Sequence, residues 1–239
     1  MDELEKIDLL IMACESATLY YQELLKNFLL QGKQFNGFVL SGNKGHYAGA
    51  YFPDTRQIHL RKIDAINLYH EFGHVLAFLN ETSLTDFNST FTLESKDKNS
   101  IRKFKDILEE RTNIETLYNK MIELGFPHSK EMVTGEAYWE YFERKLCANG
   151  LYTEVFDVFG AVTNKNYTYY TSDLGHGKTY WIRQNAKQDE MFAILLSLYT
   201  VEDMLQINIL SDVFPQTFDA FSSIVKKLSA KYVLLQTAQ

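Results

Sequence analysis

The sequence predicts an α+β fold that is mostly helical, with a small sheet beside one central helix. Apolar residues recur at helical spacing over residues 2–31 and again over residues 185–235. Between them, residues 36–62 change to short extended runs separated by turn-forming residues, as strands do. The next helix is mostly apolar, and it carries the segment His70-Glu71-Phe72-Gly73-His74. The rest of the chain is expected to position this helix.

The predicted sheet has three strands. Phe38, Val39 and Leu40 form the first, and two further extended runs at 46–52 and 56–61 form a hairpin around Pro53-Asp54-Thr55. The stretch 46–51 is a candidate edge strand that holds the backbone of a substrate by strand addition. The alternative is a hairpin that only covers the core.

The central helix is expected to begin after Asp64, a favourable N-cap residue, and to end near Asn80. Beyond it we expect a polar loop at 81–100, then helices at 100–124 and 130–149 that are separated by a break at Pro127. Residues 152–181 form a Tyr- and Gly-rich region with β-leaning runs. Three helices are expected over 185–235, with interruptions at Asp212 and Pro215. No convincing linker divides the chain. We therefore predict a single domain over residues 1–239, with 111–180 as a candidate inserted subdomain.

Composition narrows the function. The net charge of −7 and the absence of a basic block argue against nucleic-acid binding. Cys14 and Cys147 imply no disulfide framework, and no apolar run is long enough to span a membrane. The N-terminus is acidic and does not resemble a secretory signal. We expect a monomer made in the cytoplasm; if it acts in another cell, its export must proceed without a cleaved signal peptide.

The H-E-x-x-H segment carries the chemistry. Residues i and i+4 of an α-helix share a face, so His70 and His74 can bind one cation. Glu71 lies beside them, where it can hold and deprotonate a water molecule. Two neutral imidazoles, a third protein ligand and an open position are the requirements of a catalytic zinc site. The segment therefore predicts zinc-dependent hydrolysis of a peptide bond.

The third ligand has several candidates. A third histidine six residues after the segment is excluded, because that position is Asn80. Glu94 lies in the predicted polar loop, whereas Glu136 and Glu140 lie on a predicted helix. Glu190 stands at the start of an apolar helix, where a carboxylate is either a favourable charge on the helix dipole or a buried ligand. The residues alone leave these alternatives open.

Several motifs resemble those of one family of zincin metallopeptidases. They are H-E-x-x-H, the helix Lys103-Phe104-Lys105-Asp106-Ile107-Leu108-Glu109-Glu110, Phe192-Ala193 after a glutamate, and Pro215-Gln216-Thr217-Phe218 at a matching distance from that glutamate. Together they resemble the family that contains the catalytic domain of anthrax lethal factor and the clostridial Pro-Pro endopeptidases. The resemblance covers about half of the chain. It implies a zincin-like fold, a zinc ion held by His70, His74 and Glu190, and a toxin or effector peptidase that cleaves one particular protein.

The chain also departs from that family. At the position of the second glutamate in the family's motif, this chain has Ile194. At the position of the family's catalytic tyrosine, it has Arg183. Tyr180 is the nearest substitute for that tyrosine, and either Tyr180 or Arg183 could donate to the oxyanion. The loop residue His176 is a further candidate. The departures at Ile194 and Arg183 keep one alternative open, a catalytically inactive zincin-like scaffold that binds a partner protein. A second alternative is a metal-dependent hydrolase that acts on a non-peptide bond.

Overall fold

The protein is described by a computed structural model. It covers residues 2–31, 34–41, 48–111, 153–163, 176, 180–183 and 185–237. The structure is mostly helical with a three-stranded sheet, which confirms the predicted α+β class. The chain divides into two compact units. The first comprises Met1–Phe91, Gln188–Ile207 and Gln216–Gln239, and the second comprises Thr92–Lys187 and Asn208–Pro215.

The domain prediction is not settled by this division. Much of the candidate subdomain at 111–180 lies outside the described residues. A single domain over 1–239 with that insertion therefore stays a prediction.

Two helices open the first unit, where the apolar spacing of residues 2–31 predicted one or two. Helix α1 spans Glu3–Glu15, and helix α2 spans Leu19–Leu30. Helix α1 begins with a capping box: the Glu5 N–H donates to Asp2 Oδ1 over 2.9 Å, and the Asp2 N–H donates to Glu5 Oε2 over 2.8 Å. These bonds satisfy N–H groups that a helix start leaves without intrahelical partners.

The sheet confirms the predicted strand and hairpin. Strands β1 (Phe38–Leu40), β2 (Gly49–Phe52) and β3 (Gln57–Leu60) are arranged in the order β1-β3-β2. Strand β3 is parallel to β1 and antiparallel to β2, so β2 lies at one edge of this sheet. The predicted substrate-binding edge at 46–51 is described only from Ala48 onward, and its role stays a prediction.

Helix α3 spans Ala65–Leu79 and carries the H-E-x-x-H segment, within the predicted limits. At its start the Asn67 N–H donates to Asp64 Oδ1 over 2.9 Å, the expected N-cap bond. At its end the side-chain amide of Asn80 donates to the Leu76 carbonyl and to the Tyr232 hydroxyl, both over 2.9 Å. A mostly apolar helix that is capped at both ends is thereby fixed in the core.

The predicted loop at 81–100 is wrong. A 3₁₀ turn at Glu81–Leu84 leads into helix α4 (Thr85–Lys96), and helix α5 follows at Lys98–Arg111. The many Ser, Thr and Asn residues suggested a loop, but Phe87 and Phe91 are four residues apart and both are buried. Phe87 packs edge-on against Phe192, with ring centroids 5.5 Å apart. This burial outweighs the weak helix propensity of the polar residues.

The last part of the chain is helical. Helix α6 spans Thr153–Val162, α7 Ala186–Thr200, α8 Met204–Val213 and α9 Pro215–Thr237. The three helices predicted over 185–235 are confirmed. The predicted break at Asp212 is wrong, because Asp212 lies inside α8. The chain turns instead after Thr200, where Glu202 adopts a φ of 55°.

Helix α6 occupies a region for which only β-leaning runs were predicted. Val155, Phe156 and Phe159 are buried on it, which explains the helix within this Tyr- and Gly-rich region. The helix predicted at 130–149 lies outside the described residues.

The core of the first unit is rich in aromatic rings around helix α3. Phe28 contacts Phe72 of α3 at a centroid distance of 5.1 Å and Tyr232 of α9 at 5.4 Å. Phe192 of α7 contacts Phe221 of α9 at 5.3 Å. Helix α3 is therefore packed into a rigid surrounding of large side chains, which fixes the direction of its polar residues.

Among the residues that the structure describes, no helix combines the length and apolar character needed to cross a membrane.

Candidate metal centre

Helix α3 brings its two histidines together. The Nε2 atoms of His70 and His74 lie 3.2 Å apart, and both side chains are mostly buried. Two imidazoles turned toward one point leave their lone pairs available to a shared partner. The i, i+4 spacing in the sequence predicted this arrangement.

Helix α7 adds Glu190 to the pair. Glu190 Oε1 lies 3.1 Å from His70 Nε2, and Oε2 lies 3.5 Å from His74 Nε2. The carboxyl is almost fully buried. Burial alone would raise its pKa, but His70 and His74 outweigh that effect and hold the pKa of Glu190 well below its usual range. These contacts favour the ionised carboxylate of Glu190, which is the form that binds a cation.

The three side chains fit a tetrahedral metal ion. Their ligand atoms lie within 4.8 Å of one another. A tetrahedral zinc with bonds of about 2.0 Å places neighbouring ligand atoms about 3.3 Å apart. The two imidazole nitrogens lie 3.2 Å apart, and His70 Nε2 lies 3.1 Å from Glu190 Oε1, both close to that edge length. The 3.5 Å separation from His74 Nε2 is to the other carboxylate oxygen, Oε2. Two imidazole nitrogens and one carboxylate also form a common donor set of catalytic zinc sites, which leaves the fourth position open.

Close packing of two helices produces this grouping. A Cβ at Gly73 of α3 would lie only 2.5 Å from the Cα of Ala193 of α7. Only glycine lets the two backbones come this close. Gly73 and Ala193 each lie three residues after a site residue, His70 and Glu190 respectively. The helix contact therefore carries the carboxylate to the histidines, and it explains a glycine within the interior of α3.

Glu71 lies on a different side of α3. It is 6% exposed, and the space beyond its side chain is bounded by strand β2. A Cβ at Gly49 would lie 2.8 Å from Glu71 Cγ and 2.9 Å from its Oε1. As the residue next to His70 on the helix, Glu71 is separated from it by about 100° of rotation. The carboxylate is not one of the three grouped ligands.

A further carboxyl lies next to Glu190. Burial raises the pKa of Asp189 to about 6, His74 opposes this rise, and the negative charges of Glu81 and Glu190 add to it. The sequence alone gave no indication of this carboxyl's burial. Asp189 and Glu190 are thus neighbouring carboxyls with limited access to water. Such a pair of carboxyls favours the binding of a cation.

The candidates for stabilising an oxyanion lie in the second unit. The ring of Tyr180 stacks on His176 with a centroid distance of 3.7 Å, and Arg183 lies over the Tyr180 ring at 5.3 Å. The backbone N–H of His176 donates to Asp157 Oδ1 over 3.1 Å, and the ring atom Nδ1 of His176 lies 3.0 Å from Asp157 Oδ2. The role assigned to Tyr180 stays a prediction.

The other glutamates considered as third ligand are Glu94, Glu136 and Glu140, and the structure describes only the first of them. Glu94 belongs to the second unit, and its predicted position in a polar loop is wrong, because it is a buried residue of helix α4. It is not part of the His70, His74 and Glu190 group. Glu136 and Glu140 lie outside the described residues.

Comparison with protein-family models, curated proteins and solved structures gave no match for this chain. The class of the protein must therefore be argued from the chemistry of the site itself.

Proposed function

We propose that this chain is a zinc-dependent endopeptidase with a zincin-like catalytic domain. The observation that carries the proposal is the grouping of His70, His74 and Glu190, from two separate helices, with ligand atoms that lie within 4.8 Å of one another. Glu71 follows His70 directly and gives the site a carboxylate that is not needed as a ligand. Three ligands with an adjacent base fit hydrolysis better than a purely structural metal, which normally has four protein ligands.

His70, His74 and Glu190 would hold the ion, and each has a defined part. The imidazoles bind as neutral groups, while the Glu190 anion offsets one positive charge inside a buried site. When bound there, zinc supplies Lewis acidity toward a peptide carbonyl and lowers the pKa of water. The close packing of α3 on α7 brings the three side chains together in the described structure.

Glu71 is the proposed general base. Its carboxylate accepts a proton from the attacking water and then delivers it to the leaving nitrogen. The limited exposure of Glu71 keeps bulk water from competing for that proton. Tyr180, with His176 as the alternative, is proposed to donate a hydrogen bond to the oxyanion.

The proposed substrate is a protein cut at a particular site. This part rests on the resemblance of the sequence motifs to the lethal factor and Pro-Pro endopeptidase family. A toxin or effector role follows from the same resemblance. We propose a monomer; the three proposed ligands lie on one chain, so the site does not need a second copy to be complete.

The deciding experiment combines metal analysis with cleavage of a peptide library. We expect the purified wild type to hold one zinc per chain and to cut peptides in a chelator-sensitive manner. Glu71→Gln should keep its zinc and lose about 10²- to 10⁴-fold in hydrolysis, because it lacks the base. Glu23→Gln, at an exposed position of α2, is the matched control and should behave as wild type.

Other results would identify other functions. Bound zinc without cleavage of any peptide would favour an inactive scaffold that binds a partner protein. Cleavage of chromogenic esters or amides but not of peptides would favour a non-peptide hydrolase. Absence of zinc from a zinc-supplemented preparation would exclude the proposal.

A further inference from the structure

Strand β2 carries a glycine where it faces the proposed base. Gly37 is the glycine with positive φ among the described residues, so the backbone at Gly49 does not require glycine. Glycine inside a strand costs roughly 0.5–1 kcal/mol relative to alanine. What Gly49 provides is space, because its Cβ would lie 2.8 Å from Glu71 Cγ, 2.9 Å from Oε1 and 3.2 Å from Cδ.

The strand cannot easily move away from helix α3 to make that space. Tyr51 lies two residues after Gly49, on the same face of β2. Its ring packs against Phe78, with centroids 5.9 Å apart, and Phe78 lies two turns after Glu71. Strand β3 pairs with β2 over Gly49 to Phe52. The strand is thus held along α3 at a second point, which fixes Gly49 opposite Glu71.

We propose that Gly49 is a positioning residue for Glu71. By leaving out a side chain, it lets the Glu71 carboxylate lie against the backbone of β2, which limits the directions in which the carboxylate can turn. The catalytic consequence of this contact rests on the proposed peptidase function. The contact itself does not.

A thermal double-mutant cycle tests the contact without any measurement of activity. Gly49→Ala should lower the melting temperature by several degrees in the presence of Glu71, because the added Cβ overlaps its side chain. In the Glu71→Ala background the same change should cost little, because Cγ, Cδ and Oε1 are absent. If Gly49→Ala alone does not fold but the double variant with Glu71→Ala does, that result would also support the proposal. Equal losses in both backgrounds, or failure of both variants to fold, would overturn it.

Kinetics test the positioning. On a fluorescence-quenched peptide that the wild type cuts, Gly49→Ala should keep one zinc per chain and an almost unchanged KM, with kcat reduced roughly 10- to 100-fold by displacement of the base. Ala50→Ser also adds one heavy atom to β2 but on the opposite face, and it should keep the wild-type kcat. Loss of zinc, or a change confined to KM, would contradict a positioning role. A wild type that cuts no peptide would end the proposed function, yet the thermal cycle would still decide the contact.

Discussion

At the scale of single residues, the choice of the third ligand matters most. Glu190 is buried, and its two carboxylate oxygens lie 3.1 Å from His70 Nε2 and 3.5 Å from His74 Nε2. The sequence offered Glu190, Glu94, Glu136 and Glu140 without deciding among them by spacing alone. Glu190 was chosen through motif resemblance, and the geometry now gives an independent reason for that choice.

Removal of the Glu190 carboxylate should therefore remove the metal. We expect Glu190→Ala to weaken zinc binding by more than the roughly 10- to 100-fold that loss of an outer-sphere partner costs. Titration with a competing chelator measures this change. Glu136→Ala and Glu140→Ala are the matched controls and should bind zinc as the wild type does. Zinc loss in either control, with Glu190→Ala intact, would show that the wrong glutamate was chosen.

The oxyanion donor can be identified by removing one hydroxyl. Tyr180→Phe should reduce kcat about 10²- to 10³-fold and leave zinc content unchanged, because a lost donor weakens only the transition state. The stacking of the ring on His176 can be retained in this variant. His176→Ala serves as the comparison. An unchanged kcat in Tyr180→Phe together with a reduced kcat in His176→Ala would assign the role to the histidine.

At the scale of elements, the contact between α3 and α7 forms the site. Gly73→Ala gains about 1 kcal/mol of helix propensity, but overlap with a packed neighbour costs about 1–3 kcal/mol. The nearest atom is the Cα of Ala193, which cannot rotate away. We expect Gly73→Ala to lower the melting temperature and to weaken zinc binding together, since the helices must separate.

The second variant Ala193→Gly checks this explanation. It removes the Cβ of residue 193, the atom 3.0 Å from the added methyl, but leaves the Cα at 2.5 Å. The double variant should therefore recover little of the lost zinc affinity. Full recovery, measured by the same chelator titration, would mean that the side chain and not the backbone sets the helix distance.

The sequence predicted elements best where local signals agreed. Helix α3 had an N-cap at Asp64, an apolar pattern and the expected end near Asn80, and all three were found. Helix α4 was missed because its Ser, Thr and Asn residues resemble a loop, whereas burial of Phe87 and Phe91 depends on partners distant in sequence. The contact of Gly49 with Glu71 could not be predicted for the same reason. A glycine in a strand signals close approach, but it does not name the neighbour.

At the scale of the whole molecule, the first unit is assembled from three separate stretches of the chain. The proposed ligands come from two of these stretches, around His74 and around Glu190. A bound ion would therefore join parts of the unit that are distant in sequence. Such an ion stabilises the folded state because the unfolded chain does not bring the ligands together.

Zinc should raise the melting temperature of the wild type. At a free zinc concentration 100 times the dissociation constant, binding adds about 2.7 kcal/mol. For a chain of this size, each kcal/mol shifts the melting temperature by roughly 2–4 °C, which predicts a shift of about 5–10 °C. Differential scanning calorimetry with zinc and with chelator measures the shift. If the two units unfold separately, only the transition of the first should move, because it contains all three proposed ligands. Glu190→Ala should show no comparable shift, and an equal shift in that variant would place the bound zinc elsewhere.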